Sequence, residues 1–90
     1  MKKKLSADDF RDLNRRLCEH SVQLAKSIRE HVAAMREEPN FDDAVDLRDL
    51  AQNLTSALYV LENIDLIIET AERDGPRQCH FNLSDCGLEE

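Results

Sequence analysis

The 90-residue chain contains little of what most domains use to build sheets and tight turns. It has no tryptophan, one tyrosine, two glycines and two prolines. Aromatic residues make up 4% of the chain, whereas charged residues make up 34%. Gly and Pro mark most turns, so a chain with so few of these residues is expected to contain few turns. The composition therefore favours one small all-α domain with long helices.

The sequence also lacks a membrane segment and a dense set of cysteines. No apolar run approaches the roughly 20 residues that a membrane span requires. The first ten residues, MKKKLSADDF, are charged and have no apolar core of a signal peptide. Three cysteines are odd in number and too sparse for a secreted disulfide framework. We therefore expect a cytoplasmic protein with reduced thiols and no membrane partner.

The net charge of -7 is unevenly distributed along the chain. Residues 1–38 carry nine Lys and Arg against seven Asp and Glu, whereas residues 39–90 carry three against twelve. Neutralisation of phosphates supplies most sequence-independent affinity for nucleic acids. The acidic second half therefore argues against nucleic-acid binding over the whole surface, and leaves only a local basic flank as a candidate.

The first periodic segment begins with a capping signal. Ser6 is followed by Asp9 at the position that closes a capping box, and Leu5 and Phe10 have the spacing of a hydrophobic staple. Pro39 disfavours helical geometry in the residue before it, which ends the segment. The spacing predicts a helix over 7–37. Its apolar stripe is Phe10, Leu13, Leu17, Leu24, Ile28, Val32 and Met35.

The second periodic segment has a heptad seam over more than three repeats. Asn40 or Asp42 can cap its beginning, and Gly75 followed by Pro76 ends it. The spacing predicts a helix over 41–74. The seam is Leu47, Leu50, Leu54, Ala57, Leu61, Ile64, Ile68 and Ala71.

A connection of a few residues makes two such helices antiparallel neighbours. We expect a two-helix hairpin domain over 1–74, in which facing residues have numbers that add to about 78. Opposite charges such as Arg11 and Glu69 then face each other, which supports the pairing. Residues 75–90 have no helical periodicity and form an irregular tail, docked or flexible.

The second helix is more apolar than one neighbour can cover. Leu58, Tyr59, Val60, Leu66 and Ile67 lie beside or behind the seam, and each buried apolar side chain of this size is worth about 1.5–3 kcal/mol. Three alternatives could cover these side chains: a second copy that completes a four-helix bundle, the tail folding back through Phe81 and Leu83, or a foreign protein. The first is the leading prediction, so these five residues are the predicted interface of a homodimer.

A basic flank of the first helix is the alternative site. Its residues recur at helical spacing and would contact RNA or DNA phosphates, or else a protein partner. No aromatic residue interleaves with them for base stacking. The residues of this basic flank are Arg11, Arg15, Lys26, Arg29 and Arg36.

Metal-ligand spacing is weak in this sequence. His20 and His31 are eleven residues apart on one helix, about 16 Å along its axis, which is too far to share an ion. Cys79, His80 and Cys86 lack a fourth ligand and the short spacing of zinc sites. Unreactive tail thiols are the leading interpretation, and a disulfide that closes the tail loop is a second one.

Nothing in the sequence indicates an enzyme or a cofactor. It contains no glycine-rich phosphate loop and no Ser/His/Asp constellation, so we predict no catalytic, cofactor-binding or metal-binding residues. The leading hypothesis is a small module for protein–protein interaction that binds and modulates a regulatory or enzymatic partner. The alternative is a nucleic-acid-binding helical bundle that acts through the basic flank.

Overall fold

The computed structural model describes residues 4–88, and its two long helices pack against each other as a hairpin. Helix α1 spans Ala7–Glu37 and helix α2 spans Phe41–Asp74. The bounds predicted for both helices are confirmed. Short strands β1 (Lys4–Leu5) and β2 (Arg77–Gln78) flank the hairpin, and a 3-10 helix covers Leu83–Cys86.

The helix ends follow from local hydrogen bonding. The Asp9 amide donates to the Ser6 hydroxyl oxygen at 3.2 Å, and the Ser6 amide donates to the Asp9 carboxylate at 2.9 Å, which completes the capping box. Asn40, one of the two predicted caps, accepts a hydrogen bond from the Asp42 amide at 2.8 Å. Gly75, with φ of +90°, ends α2 in a conformation that disfavours other residues.

The C-terminal tail docks on the hairpin. Strand β2 pairs antiparallel with β1, in the register Lys4 with Gln78 and Leu5 with Arg77. The chain then turns back, so that the 3-10 helix packs on α2 and Leu83 and Cys86 become buried. Folding back of the tail, the second of the three coverings, is therefore what this chain shows.

The hydrophobic core lies in one half of the hairpin. We call residues 5–20 and 55–74 the open half, because it carries both chain ends, and residues 21–54 the loop half. In the loop half, Leu24 is the one residue that is buried. The tail supplies a third layer to the open half. The buried core cluster is Phe10, Leu13, Leu17, Ala57, Val60, Ile64, Ala71, Leu83 and Cys86.

Within residues 4–88, neither helix contains a stretch apolar enough to cross a lipid bilayer.

Candidate docking surface

The five residues predicted as one interface lie on three different sides of α2. Successive residues of an α-helix are about 100° apart, so residues two positions apart point about 200° apart. Val60 therefore points away from Leu58, and Tyr59 lies between them on the outer side. One continuous surface cannot include all five.

Val60 and Ile67 lie on the side that the tail covers. Val60 is 3% exposed, and the half-buried Ile67 packs against the same core cluster. In this chain, the tail therefore covers Val60 and shields part of Ile67. Phe81 and Leu83, which the sequence offered as an alternative cover, both join the cluster.

Tyr59 and Leu66 lie on the outer side of α2, opposite the seam. Tyr59 is 61% exposed and Leu66 is 67% exposed. They are separated by two helical turns, and polar side chains such as Thr55, Asn63 and Thr70 surround them along this side. The outer side is therefore a mixed surface with two isolated apolar side chains.

Leu58 lies on the side of the hairpin opposite the tail, which we call the tail-free face. On α1, the His20 ring contacts the tail, and Val22, about 200° further round, points to this opposite side. Leu58 is 49% exposed and Val22 is 65% exposed. The helical positions of the tail-free face place these apolar residues on it: Val22, Ala25, Val32, Ala51, Leu54, Leu58 and Leu61.

The two edges of the tail-free face have opposite charge. The α1 edge carries the basic flank, including the exposed Arg29 and Arg36. The α2 edge carries three exposed carboxylates, Glu62, Asp65 and Glu69.

The basic flank is partly neutralised within the chain. Arg11 forms ion pairs with Asp8, at 2.6 Å, and with Glu72, which lies about one turn beyond the expected Glu69. Arg15 binds Asp12 at 2.7 Å and Glu19 at 3.1 Å.

These contacts have a consequence for Arg15. The hydrogen bonds to the two carboxylates raise the pKa of Arg15 above its ordinary value. Phosphate binding at this end of the flank would have to displace those existing partners. At the other end, Lys26 and Arg29 line a shallow, mainly apolar groove with Val22, Ala25 and Ala33, and Glu30 adds a negative charge to it.

His20 holds the tail in place. Its Nε2–H donates to the Cys86 carbonyl oxygen at 2.8 Å, between residues 66 positions apart in sequence. Gly87 follows with φ of +75°, and a Cβ at this position would lie 2.9 Å from Asn53 Nδ2. The role of His20 as an anchor of the tail depends on a contact that helical periodicity does not encode.

The three cysteines are free. Cys18 is exposed, Cys79 is half-buried with its Sγ 3.7 Å from the Phe81 carbonyl oxygen, and Cys86 is 1% exposed. The tail closes over the hairpin through apolar packing, with neither a disulfide nor a Cys79–His80–Cys86 ligand set holding it. Cys86 is best described as a small apolar core residue.

The ionisation of Cys86 makes stability depend on pH. Burial, with a smaller contribution from the Asp85 carboxylate, raises the pKa of Cys86. Above the ordinary thiol pKa of about 8.5, the unfolded chain releases this proton before the folded chain does. We expect the free energy of unfolding to fall as the pH rises above about 8.5, by at most about 1.4 kcal/mol per pH unit from this group.

Urea unfolding at several pH values measures this dependence. Cys86→Ala provides the comparison: it lowers stability at every pH but removes this contribution to the slope. An identical slope in both proteins would show that Cys86 is not the cause.

The loop end of the hairpin brings together three further polar residues. His31 of α1 and Asp43 and Asp46 of α2 place one ligand-type atom each within 4.8 Å of the others. The hairpin register predicted from the sequence already brings these residues close together, since residues that face each other have numbers adding to about 78.

Comparisons with protein-family models, with curated proteins and with solved structures give no match to this chain.

Proposed function

We propose that this protein is a helical module for protein–protein interaction whose tail-free face docks on a second copy of the chain. The observation that carries the proposal is the unequal covering of the hairpin. The tail adds a third layer to one face of the hairpin, whereas the opposite face keeps partly exposed apolar side chains on both helices, most of them in the loop half.

Covering the tail-free face offers a gain in stability that a polar surface would not. Full burial of a Val or Leu side chain contributes about 1.5–3 kcal/mol relative to exposure. Leu58, Val22 and Val32, at 49%, 65% and 39% exposure, retain a substantial part of that gain. Two hairpins stacked through this face would form a four-helix bundle, in which each copy supplies a layer to the other.

The charges of the face favour a second copy as its occupant. A two-fold axis parallel to the helices places α1 of each copy over α2 of the other. This axis keeps the two hairpins level along their length, so Arg11 and Arg15, at the open end of the basic edge, lie opposite the partner's acidic edge, twice in each dimer. Electrostatic complementarity of this kind selects register and partner. Dimers of this type would then present their outer surfaces, including Tyr59 and Leu66, to a regulatory or enzymatic partner.

A charge placed in the tail-free face tests the proposal. Leu58→Asp introduces a carboxylate at the centre of the proposed interface, where desolvation opposes association. We expect the unchanged protein to form a dimer and Leu58→Asp to be a monomer, with an association constant at least tenfold weaker. Sedimentation equilibrium over a range of protein concentrations measures both.

Leu66→Asp is the matched control, because it makes the same replacement on the same helix at an exposed position outside the face. It should leave the dimer intact. A monomeric unchanged protein at high micromolar concentration would contradict the proposal. So would dissociation by Leu66→Asp with no effect of Leu58→Asp, which would place the interface on the outer side of α2.

A further inference from the structure

We propose that the loop end of the hairpin binds one divalent transition-metal ion of the Zn²⁺ type through His31, Asp43 and Asp46. The three residues come from both helices: His31 lies near the end of α1, and the two aspartates lie in the first two turns of α2. The site is separate from the tail-free face and does not depend on the proposed dimer.

The geometry of the cluster is close to that of a metal site. The ligand-type atoms of the three residues all lie within 4.8 Å of one another. Bonds of about 2.0–2.2 Å to a tetrahedral ion place two ligands about 3.4 Å apart. His31 and Asp43 are half-buried, and Asp46 is exposed. Small rotations of the aspartate side chains can therefore close the remaining distance without displacing the helices.

The orientation of the His31 ring suits a ligand. Its Nδ1 lies 2.8 Å from the Ser27 carbonyl oxygen, which can only accept, so Nδ1 carries the hydrogen. In the neutral ring, Nε2 is then left with a free lone pair. Metal-binding histidines commonly have this arrangement, in which the second ring nitrogen donates to a backbone carbonyl group and fixes the tautomer.

The His31 ring distinguishes this cluster from an ordinary helix cap. Aspartates in the first turn of a helix are stabilised by the helix dipole alone and need no ion. Here a nitrogen ligand from the opposite helix joins two carboxylates, so three electron-pair donors converge from two elements. A cation between them would satisfy all three.

The donor set selects the class of ion. One imidazole and two carboxylates suit Zn²⁺ and its neighbours among the divalent transition metals. Ca²⁺ and Mg²⁺ bind through oxygen ligands and gain nothing from the imidazole. Three protein ligands leave the fourth position to water, so the ion would be exchangeable and accessible.

The location gives such an ion a structural effect. The loop half contains a single buried residue, Leu24, and the tail reaches it near Asn53, at its boundary with the open half. An ion held by both helices would join them where apolar packing is weakest. Because the ion binds the folded arrangement and not the separated helices, it would raise the stability of the folded chain.

Titration of the metal-free full-length protein with Zn²⁺ tests the site. We expect one ion per chain by calorimetry, and a rise in Tm of about 4–8 °C or more when Zn²⁺ exceeds its dissociation constant several-fold. His31→Gln and Asp46→Asn should each weaken binding at least tenfold. Asp46 is exposed, so its variant keeps the fold even if His31→Gln perturbs it.

Two controls separate this site from other zinc-binding groups. His80→Gln removes the exposed histidine of the tail and should leave binding unchanged. Co²⁺ in place of Zn²⁺ reports the ligand type, because thiolate ligands give an intense near-ultraviolet charge-transfer band and a nitrogen–oxygen set does not.

Several results would overturn the proposal. These are the absence of a Zn²⁺-dependent shift, binding that survives both His31→Gln and Asp46→Asn, or a thiolate band with Co²⁺. An equal response to Ca²⁺ would also overturn it, since that would indicate general attraction of cations to the acidic second half of the chain.

Discussion

Phe10→Ala is expected to lower the free energy of unfolding by about 3–5 kcal/mol, the range typical of a buried aromatic residue truncated to alanine. Phe10 is fully buried, and it belongs to the core cluster that joins both helices to the tail. Small domains have a total stability of about 5–15 kcal/mol, so the variant should be partly unfolded at 37 °C. Thermal and urea unfolding followed by circular dichroism measure the loss.

Phe41→Ala is the matched control for Phe10→Ala. Phe41 is the first residue of α2 and is 80% exposed, so its truncation removes little packing. Substitutions at such surface positions usually change stability by less than about 0.5 kcal/mol. Equal losses in the two variants would contradict the position of the core in the open half.

Leu83→Asp is expected to release the tail while both helices remain folded. Leu83 is 8% exposed in the 3-10 helix that packs on α2. A carboxylate there cannot stay buried without a partner, so the tail must leave the hairpin. The loss of Leu83 alone costs about 1.5–3 kcal/mol, and exposure of Val60 and Cys86 adds to it.

Limited proteolysis and hydrogen exchange detect the released tail. Residues 76–88 should become cleavable and lose amide protection, whereas the helical circular dichroism signal should stay near its original value. Leu66→Asp, an exposed site on α2, should leave the tail protected. Unchanged protection in Leu83→Asp would show that the tail is held by contacts other than this side chain.

The helices could be predicted from sequence because their signals are local. The capping box at Ser6, the cap at Asn40 and the Gly75–Pro76 stop are each encoded within a few residues. The apolar periods between them then determine which sides of the helices meet. These signals do not depend on the rest of the chain. The structure confirms the helix bounds that they predict.

The docking of the tail could not be predicted in the same way. It depends on the pairing of Leu5 with Arg77 and on the hydrogen bond from His20 to the Cys86 carbonyl group, both between residues far apart in sequence. A short 3-10 helix has no periodic pattern to identify it. The sequence shows more apolar residues between positions 58 and 68 than one neighbouring helix can cover. Periodicity alone does not assign Val60 to the side of the tail and Leu58 to the opposite side.

The His31 cluster was missed for a different reason. Along α1 alone, His20 and His31 are too far apart to share an ion, and the cluster becomes visible only when the hairpin register is applied across the two helices. That register places His31 opposite residue 47, beside Asp46 and about one turn from Asp43. The signal was present in the pairing of the helices.

The concentration of buried residues in the open half gives the two ends of the rod different mechanical roles. Phe10, Ile64 and Cys86 belong to a densely packed base, from which the loop half extends as two arms whose facing side chains, apart from Leu24, are only partly buried. Separation of the arms near residues 38–40 breaks few apolar contacts, so this tip can fluctuate without melting the base. Partial opening of the two helices from the tip therefore requires less free energy than cooperative unfolding of the whole hairpin.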